Sequence, residues 1–322
     1  MGQAAFDRDP ESYLLVGCLT AQDRIVVTGA SGWLGRSLLH ELEAALGERI
    51  HDQVLALGST DREIRLGSGR PVRIHAWEHD LVADWRPTSV VHLAYLTRDH
   101  AADTNLAGYL ESNLRLTALA TRLMHLPGIR SFLAASSGAA VGIDWAQAIS
   151  PAFAYGTLKR LDEDFFIAEG TRVGVPTVIA RTWSVSGPYC TKPAMFAFSD
   201  FILQALGTGV IEVRATGDVW RRYVDAGQYL ALCLREAILA RPGVIESTGP
   251  QVELRDLAQR IADTLGGRIS SAGREPGQEP RRYVSLTSDV EDRIQDAGAH
   301  LLGLQEQIRF TAGGLRTAWG ST

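Results

Sequence analysis

The pattern of apolar positions begins with a short unbroken run. Arg24-Ile25-Val26-Val27-Thr28 shows no polar alternation, as expected of a parallel strand covered on both faces. Over residues 34–46 the period changes, and Leu38, Leu39, Leu42 and Leu46 recur on one side of a helix. Further strands are read at 54–57, 72–77, 89–94, 131–135 and 176–180, with helices over 106–124 and 155–169. Strand and helix alternate, which predicts an α/β fold, a Rossmann-type doubly wound parallel sheet with helices on both faces. Right-handed crossovers then place the C-terminal strand ends on one rim, with Gly29, Ser137 and the loop after Ala180 along it. Beyond Arg181 the pattern loosens. Gly187-Pro188 starts an irregular stretch, residues 252–265 form an amphipathic helix on Leu254, Leu257, Ile261 and Leu265, and 243–250 and 270–281 read as loops or short strands.

Composition narrows the classes. The 322 residues suffice for one large domain or two ordinary ones. Hydrophobic content of 45% with 21% charged residues is that of a soluble globular enzyme. The net charge of −5, with no basic tail, argues against a nucleic-acid partner. No apolar run approaches the roughly 20 residues that span a bilayer, so no membrane partner is expected. Cys18, Cys190 and Cys233 are odd in number and widely spaced. Neither a disulfide framework nor a metal site is expected from them, and the cytoplasm is the expected location. Leu15-Val16-Gly17-Cys18 looks like a lipoprotein cleavage box, but Asp7, Arg8, Asp9 and Glu11 precede it. An export signal needs a basic start and a longer apolar core, so export is not expected.

Two stretches carry chemistry. Thr28-Gly29-Ala30-Ser31-Gly32-Trp33-Leu34-Gly35 is a glycine-rich turn between the first strand and the first helix. Gly29 allows the tight turn, Gly32 a close approach to a pyrophosphate, and Gly35 the packing of helix on strand. The helix N-terminus adds N–H donors and partial positive charge, so Ser31, Trp33 and Leu34 join the expected cofactor contacts. The second strand ends Leu57-Gly58-Ser59-Thr60 with no acid at its tip to hold the ribose of NAD. Asp61 comes late, and Arg62, Arg65, Arg70 and Arg73 follow. With Ser59 and Arg62 as the ribose-side contacts, NADP(H) is favoured and NAD(H) is the alternative. The other stretch is Tyr155-Gly156-Thr157-Leu158-Lys159, which puts a phenol and an ammonium on one helix face. A tyrosine has a pKa near 10, and a neighbouring ammonium favours its phenolate. The phenol can then exchange a proton with a substrate oxygen while hydride moves at carbon. Ser136 or Ser137, at the end of a preceding strand, can hold that oxygen. The expected organisation is a flexible or loosely packed extension at 1–22 and a dinucleotide-binding Rossmann domain at 23–182. A smaller C-terminal substrate-binding lobe follows at 183–322, with part of 220–242 returning to the Rossmann domain.

With these motifs in order, the chain resembles the extended short-chain dehydrogenase/reductase family, also called the NAD-dependent epimerase/dehydratase family, over most of residues 24–320. Thr28 to Gly35 is similar to the family's T-G-x-x-G-x-x-G turn. The resemblance implies that Asp80-Leu81 meets the adenine, that Leu93, Ala94 and Tyr95 after His92 line the cofactor, and that Asn113 supports the catalytic lysine through water. It makes Ser137, Tyr155 and Lys159 the catalytic triad; Val141-Gly142 favours Ser137 over Ser136. Arg181 to Pro188 resembles R-x-x-N-x-x-G-P, which adds Val185 to the cofactor side and Ser184, in place of the asparagine, to the substrate side. Arg221-Arg222-Tyr223-Val224 resembles R-D-Y-I, and Arg221 inherits the grip on a substrate diphosphate. Tyr95 and Ser137 complete the substrate contacts, while His92 reads as a core histidine. Leu301-Leu302-Gly303 and Gly313-Gly314-Leu315 echo the family's closing pattern.

Departures from the family direct the expected reaction. Gly138-Ala139 stands where sugar dehydratases carry an acid pair, which disfavours dehydration. Gln228 replaces an aspartate on the substrate side, and the loop from Ser137 to Tyr155, with Asp144, Trp145 and Gln147, is short. The resemblance therefore implies an NADPH-dependent ketoreductase acting on a nucleotide-linked deoxysugar. A nucleotide-sugar 4-epimerase with tightly bound NAD is the alternative. A non-sugar carbonyl reductase and a non-catalytic cofactor-binding protein carry less weight. A homodimer formed through the helices near 106–124 and 158–169 is a further expectation.

Overall fold

A computed structural model describes residues 12–97, 105–148, 150–275, 277–285, 287 and 289–319. In chain order the first half contains β1 (Ile25–Thr28), α1 (Trp33–Leu46), α2 (Ile50–Gln53), β2 (Val54–Gly58), β3 (Arg62–Arg65), β4 (Pro71–Ala76) and α3 (His79–Trp85). It continues with β5 (Ser89–His92), α4 (Leu106–Met124), β6 (Ser131–Ser137), α5 (Ala154–Val173) and β7 (Thr177–Thr182). The second half contains β8 (Val185–Ser186), α6 (Ala197–Gly207), β9 (Val210–Val213), β10 (Val219–Arg222), β11 (Val224–Asp225), α7 (Ala226–Ile238) and β12 (Gly243–Glu246). It ends with β13 (Gln251–Glu253), α8 (Leu254–Leu265), β14 (Arg268–Ser271), β15 (Arg281–Tyr283), α9 (Asp289–Asp296) and α10 (Leu304–Trp319).

The main sheet has eight strands in the order β12-β7-β6-β5-β1-β2-β4-β3. Every pairing in it is parallel except that of β3 with β4. The strand order reverses at β1, between β2 and β5, so the crevice for a ligand opens beyond their C-terminal ends. Alternate residues of β1 feed different cores. Ile25 and Val27 pack with Leu38, Leu39 and Leu42 of α1 and with Leu230 and Leu234 of α7. Val26 faces the other side with Val90, Leu123, Phe132 and Phe166, beneath α4 and α5. This is the doubly wound architecture expected from the alternation.

The smaller lobe has its own core, where Phe198, Phe201 and Ile202 of α6 meet Ile211, Leu257, Ile261, Ile308 and Leu315. The lobe's small sheets are β13-β10-β15 and β14-β9. The chain returns twice to the first domain: α7 lies on its core, and β12 adds a parallel strand beside β7.

Three features differ from the sequence reading. Residues 12–22 are not loosely packed, since Ser12, Leu14, Leu15 and Leu19 are buried and Gln53 Nε2 donates to the carbonyls of Thr20 and Asp23 at 2.7 Å each. Of the residues that mimic a cleavage box, Leu15 is a core residue and Val16 is exposed; residues 1–11 lie outside the described residues. The antiparallel edge strand β3 was not anticipated, because only Ile64 of Arg62-Glu63-Ile64-Arg65 points inward. Such charged edges protect a sheet from further pairing. The stretch after Gly187 is helical in α6 and α7. Eleven of α7's residues are buried, so it has no polar face to reveal a helical period.

Candidate active site

The glycine turn brings β1, α1 and the chain after β5 together. Gly29 has φ +68°, and a Cβ there would lie 2.6 Å from Ala94 N. A Cβ on Gly35 would strike the backbone of Gly29 and Ala30. Only glycine satisfies both positions. Gly32 is exposed, and a Cβ on it would meet only Gly29 O at 3.4 Å. The N-terminus of α1 carries neither a side-chain cap nor an acid in its first turn. Trp33 Nε1 is buried without a hydrogen-bond partner among the described residues. Open backbone donors with no competing carboxylate fit a dinucleotide pyrophosphate. Ser31, Leu34, Leu93, Ala94 and Val185 surround this turn, the last in β8 against the first core.

At the ribose corner, Ser59 is exposed at the tip of β2. Asp61 is turned aside, where its Oδ1 accepts from Ala76 N–H at 3.4 Å. Arg62 donates to Thr60 Oγ1 at 2.6 Å. Arg65 binds Gly69 O, and Arg70 binds Glu43 and Glu48, so these two arginines serve the edge of the sheet. Arg36 was not singled out from sequence. It follows Gly35 on the first turn of α1, and its pKa is held down by burial and by the charge of Arg62. Two guanidinium groups thus lie within electrostatic reach of each other near the strand end that lacks an acid. A basic residue directly after the last glycine was the available signal. Asp80 is exposed on the first turn of α3, and Leu81 packs beneath it on the second core.

The catalytic candidates meet at the ends of β6 and α5. Ser137 caps the turn Gly138–Ala140, its Oγ accepting from Ala139 N–H at 3.2 Å. Its own O–H is thereby turned toward other acceptors. Ser136 is committed elsewhere and donates to Glu163 Oε1 at 2.5 Å. Gly156 lets α5 press on this turn, because a Cβ would strike the Ala139 carbonyl. Lys159 is buried, and its Nζ donates to Ala135 O at 2.8 Å. The Tyr95 ring lies 3.4 Å from the ammonium, and Tyr95 meets Tyr155 edge-on at 5.9 Å between centroids. Burial pushes the Lys159 pKa down to about 8, against the opposing pull of Asp162 and Glu163.

Asn113 is buried, and its side chain fastens the backbone. Its Oδ1 accepts from Leu96 N–H at 2.9 Å, and its Nδ2 donates to the carbonyls of Leu96 and Tyr109. It therefore reaches Lys159 by anchoring Tyr95. Ser184 is half-buried between β7 and β8. Arg221 donates to Trp220 O at 2.8 Å and lies 5.6 Å from the Tyr283 ring, which packs on Trp183. Gln228 has left the substrate side and binds the carbonyls of Ser12 and His300.

His92 is a core residue. Its Nδ1 pairs with Thr28 Oγ1 at 2.9 Å, and burial with the nearby Lys159 charge pushes its pKa down to about 3. The unfolded imidazole takes up a proton below its usual value of 6.5, whereas the folded one resists until about 3. Its contribution is therefore complete above 6.5 and is lost as pH falls toward 3. Thermal midpoints should decline between pH 6.5 and 5, less steeply in His92→Gln. Equal slopes would rule out His92 as the source.

The model of the NAD dependent epimerase/dehydratase family matches residues 25–241. No curated protein matches the chain in sequence. Among solved structures, the Bordetella bronchiseptica enzyme WbmF in complex with NADH is similar at TM-score 0.72 and 19% identity, over 94% of this chain and 95% of that one. The Thermus thermophilus UDP-glucose 4-epimerase complex with NAD is similar at 0.68 and 20%, over 92% and 99%. MoeE5 in complex with UDP-glucose and NAD is similar at 0.65 and 22%, over 92% and 99%. At these identities the likeness is one of fold, and it agrees with the sheet order and the glycine turn. The family match covers most of the chain, and the chain belongs to the NAD-dependent epimerase/dehydratase family.

Proposed function

We infer that the protein reduces the keto group of a nucleotide-linked deoxysugar with NADPH. The observation that carries this reading is the buried Lys159, fixed by the Ala135 carbonyl one helical turn from Tyr155 and beside the strand that ends in Ser137. A bound nicotinamide supplies the hydride. Tyr155 gives its phenolic proton to the substrate oxygen, and the Lys159 ammonium stabilises the phenolate left behind. Ser137 Oγ, already accepting from Ala139 N–H, donates to the same oxygen and orients the carbonyl.

The glycine turn and the α1 N-terminus would hold the pyrophosphate, with Leu93, Ala94 and Tyr95 beside it. Arg62 and Arg36 favour the additional phosphate of NADP, since a carboxylate is missing at the corner they share. Arg221 would grip the substrate diphosphate. Water elimination is disfavoured because Gly138 leaves no room for an acid: a Cβ there would run into the Trp183 indole, with Cε2 at 2.8 Å. The exposed Leu161 and Phe165, one turn apart on α5, and Leu114 on α4 suit a homodimer. A cytoplasmic site of action accords with three free cysteines. Among the described residues, no helix is long and apolar enough to cross a membrane.

A 4-epimerase with retained NAD is the second reading, favoured by the NAD-bound UDP-glucose 4-epimerase among the similar structures. A panel of nucleotide-linked 4-keto-6-deoxysugars with NADPH, and separately with NADH, separates the two. Substrate-dependent loss of reduced-nicotinamide absorbance, faster with NADPH, is expected. Interconversion of sugar epimers without added reductant would replace the first reading with the second.

A further inference from the structure

Lys159 has an enclosure that the triad alone does not explain. The Tyr95 ring covers the ammonium, and the Ala135 carbonyl accepts one of its protons. Asp162, three residues along α5, is also buried, and its carboxylate acts on Lys159. Thr117 Oγ1 donates to Asp162 Oδ1 at 2.7 Å and lies 3.1 Å from Asn113 O, so α4 fixes the carboxylate from behind. Asn113 in turn clamps Leu96, next to Tyr95. One helix thus positions both neighbours of the lysine.

The other charged groups around Lys159 do not substitute for Asp162. Glu163 also pulls on Lys159, but its carboxylate is shared with Arg181 and Ser136. His92, the last residue of β5, is held neutral by burial and by the nearby Lys159 charge, and so supplies no counter-charge. Tyr155 on the same helix and Tyr109 on α4 add no charge while protonated. We propose that Asp162 and Tyr95 are positioning residues that keep the buried Lys159 an ammonium at neutral pH, Asp162 by its charge and Tyr95 by the face of its ring.

The physical argument is one of signs. Burial favours the neutral amine, whereas a fixed carboxylate and the negative face of a ring favour the ammonium. Removing either neighbour must therefore lower the Lys159 pKa. The assignment rests on the proposed Tyr155/Lys159 chemistry for its meaning, but it can be measured without substrate. Lys159 and Lys192 are the only lysines in the sequence. A full-length protein labelled with 13Cε-lysine gives two resonances, with Lys192 as the internal control.

In the wild type the Lys159 resonance should titrate at about 8. Asp162→Asn, which keeps an acceptor for Thr117, should titrate roughly one pH unit lower. Tyr95→Leu should also titrate lower, whereas Tyr95→Phe, which keeps the ring, should follow the wild type. Midpoints unchanged in both Asp162→Asn and Tyr95→Leu would overturn the assignment. With an active substrate, the alkaline limb of kcat should move down in Asp162→Asn by the same interval, a change that a purely structural defect would not produce. If the NMR midpoints move but no keto sugar is turned over, the substrate reading fails and this assignment stands.

Discussion

Tyr155→Phe is expected to reduce kcat by about 10²–10⁴-fold while leaving cofactor affinity within a few-fold of the wild type. The substitution removes one oxygen and keeps the ring that meets Tyr95 edge-on, so packing around Lys159 is preserved. What is lost is the proton for the substrate oxygen, which no neighbour can deliver. Ser137 can donate a hydrogen bond but is too weak an acid to give up its proton, and the Lys159 ammonium is held by the Ala135 carbonyl. Steady-state rates together with cofactor titration by nicotinamide fluorescence decide the matter. A parallel fall in cofactor binding would mean that Tyr155 positions the cofactor. An unchanged kcat would place the proton donor elsewhere.

The largest expected loss of stability lies behind the site. Arg181, at the C-terminal end of β7, donates to Glu163 Oε1 at 3.0 Å and Oε2 at 2.6 Å, and to Glu246 Oε1 at 2.7 Å. Glu163 is 2% exposed and Glu246 12%, and this guanidinium is the cation that pairs directly with both carboxylates. Arg181→Ala strands two buried carboxylates and is expected to cost about 3–5 kcal/mol in urea unfolding. Adding Glu163→Gln should restore part of that loss, because one of the stranded charges is then gone. Additive losses in the double variant would mean that the ion pair is not the source of the stability.

The fold was legible where burial is one-sided or complete. Helix α4 spans the residues read from the sequence, and β1, β2, β5, β6 and β7 fall within two residues of their expected positions. The site was legible as motifs, since the glycine turn and the Tyr155/Lys159 spacing are properties of consecutive residues. What stayed hidden depends on distant partners. Arg36 gains meaning only when Arg62 is folded against it. Asp162 reads as an ordinary helix acid until α4 and Tyr95 close around Lys159. Gln228 looked like a substrate-side residue because it stands where the family carries an aspartate, yet its side chain turns toward the N-terminal segment. Helix α7 was missed because burial on nearly all sides leaves no amphipathic period, whereas α6 buries only five of its eleven residues.

The Gln228 side chain has a consequence for the order in which the chain assembles on the ribosome. Its Nε2 binds the carbonyl of Ser12, 216 residues earlier, and that of His300, while its Oε1 accepts from Leu302 N–H. Ser12 and the residues next to it are thus among the last to find their permanent partners. Leu14, Leu15 and Leu19 emerge early and pack in a core that includes residues of α7. During synthesis they form an apolar segment awaiting a binding surface, and the glycine turn can close before that surface exists. Folding of the N-terminal domain on the ribosome is therefore expected to stall short of completion until α7 has left the exit tunnel.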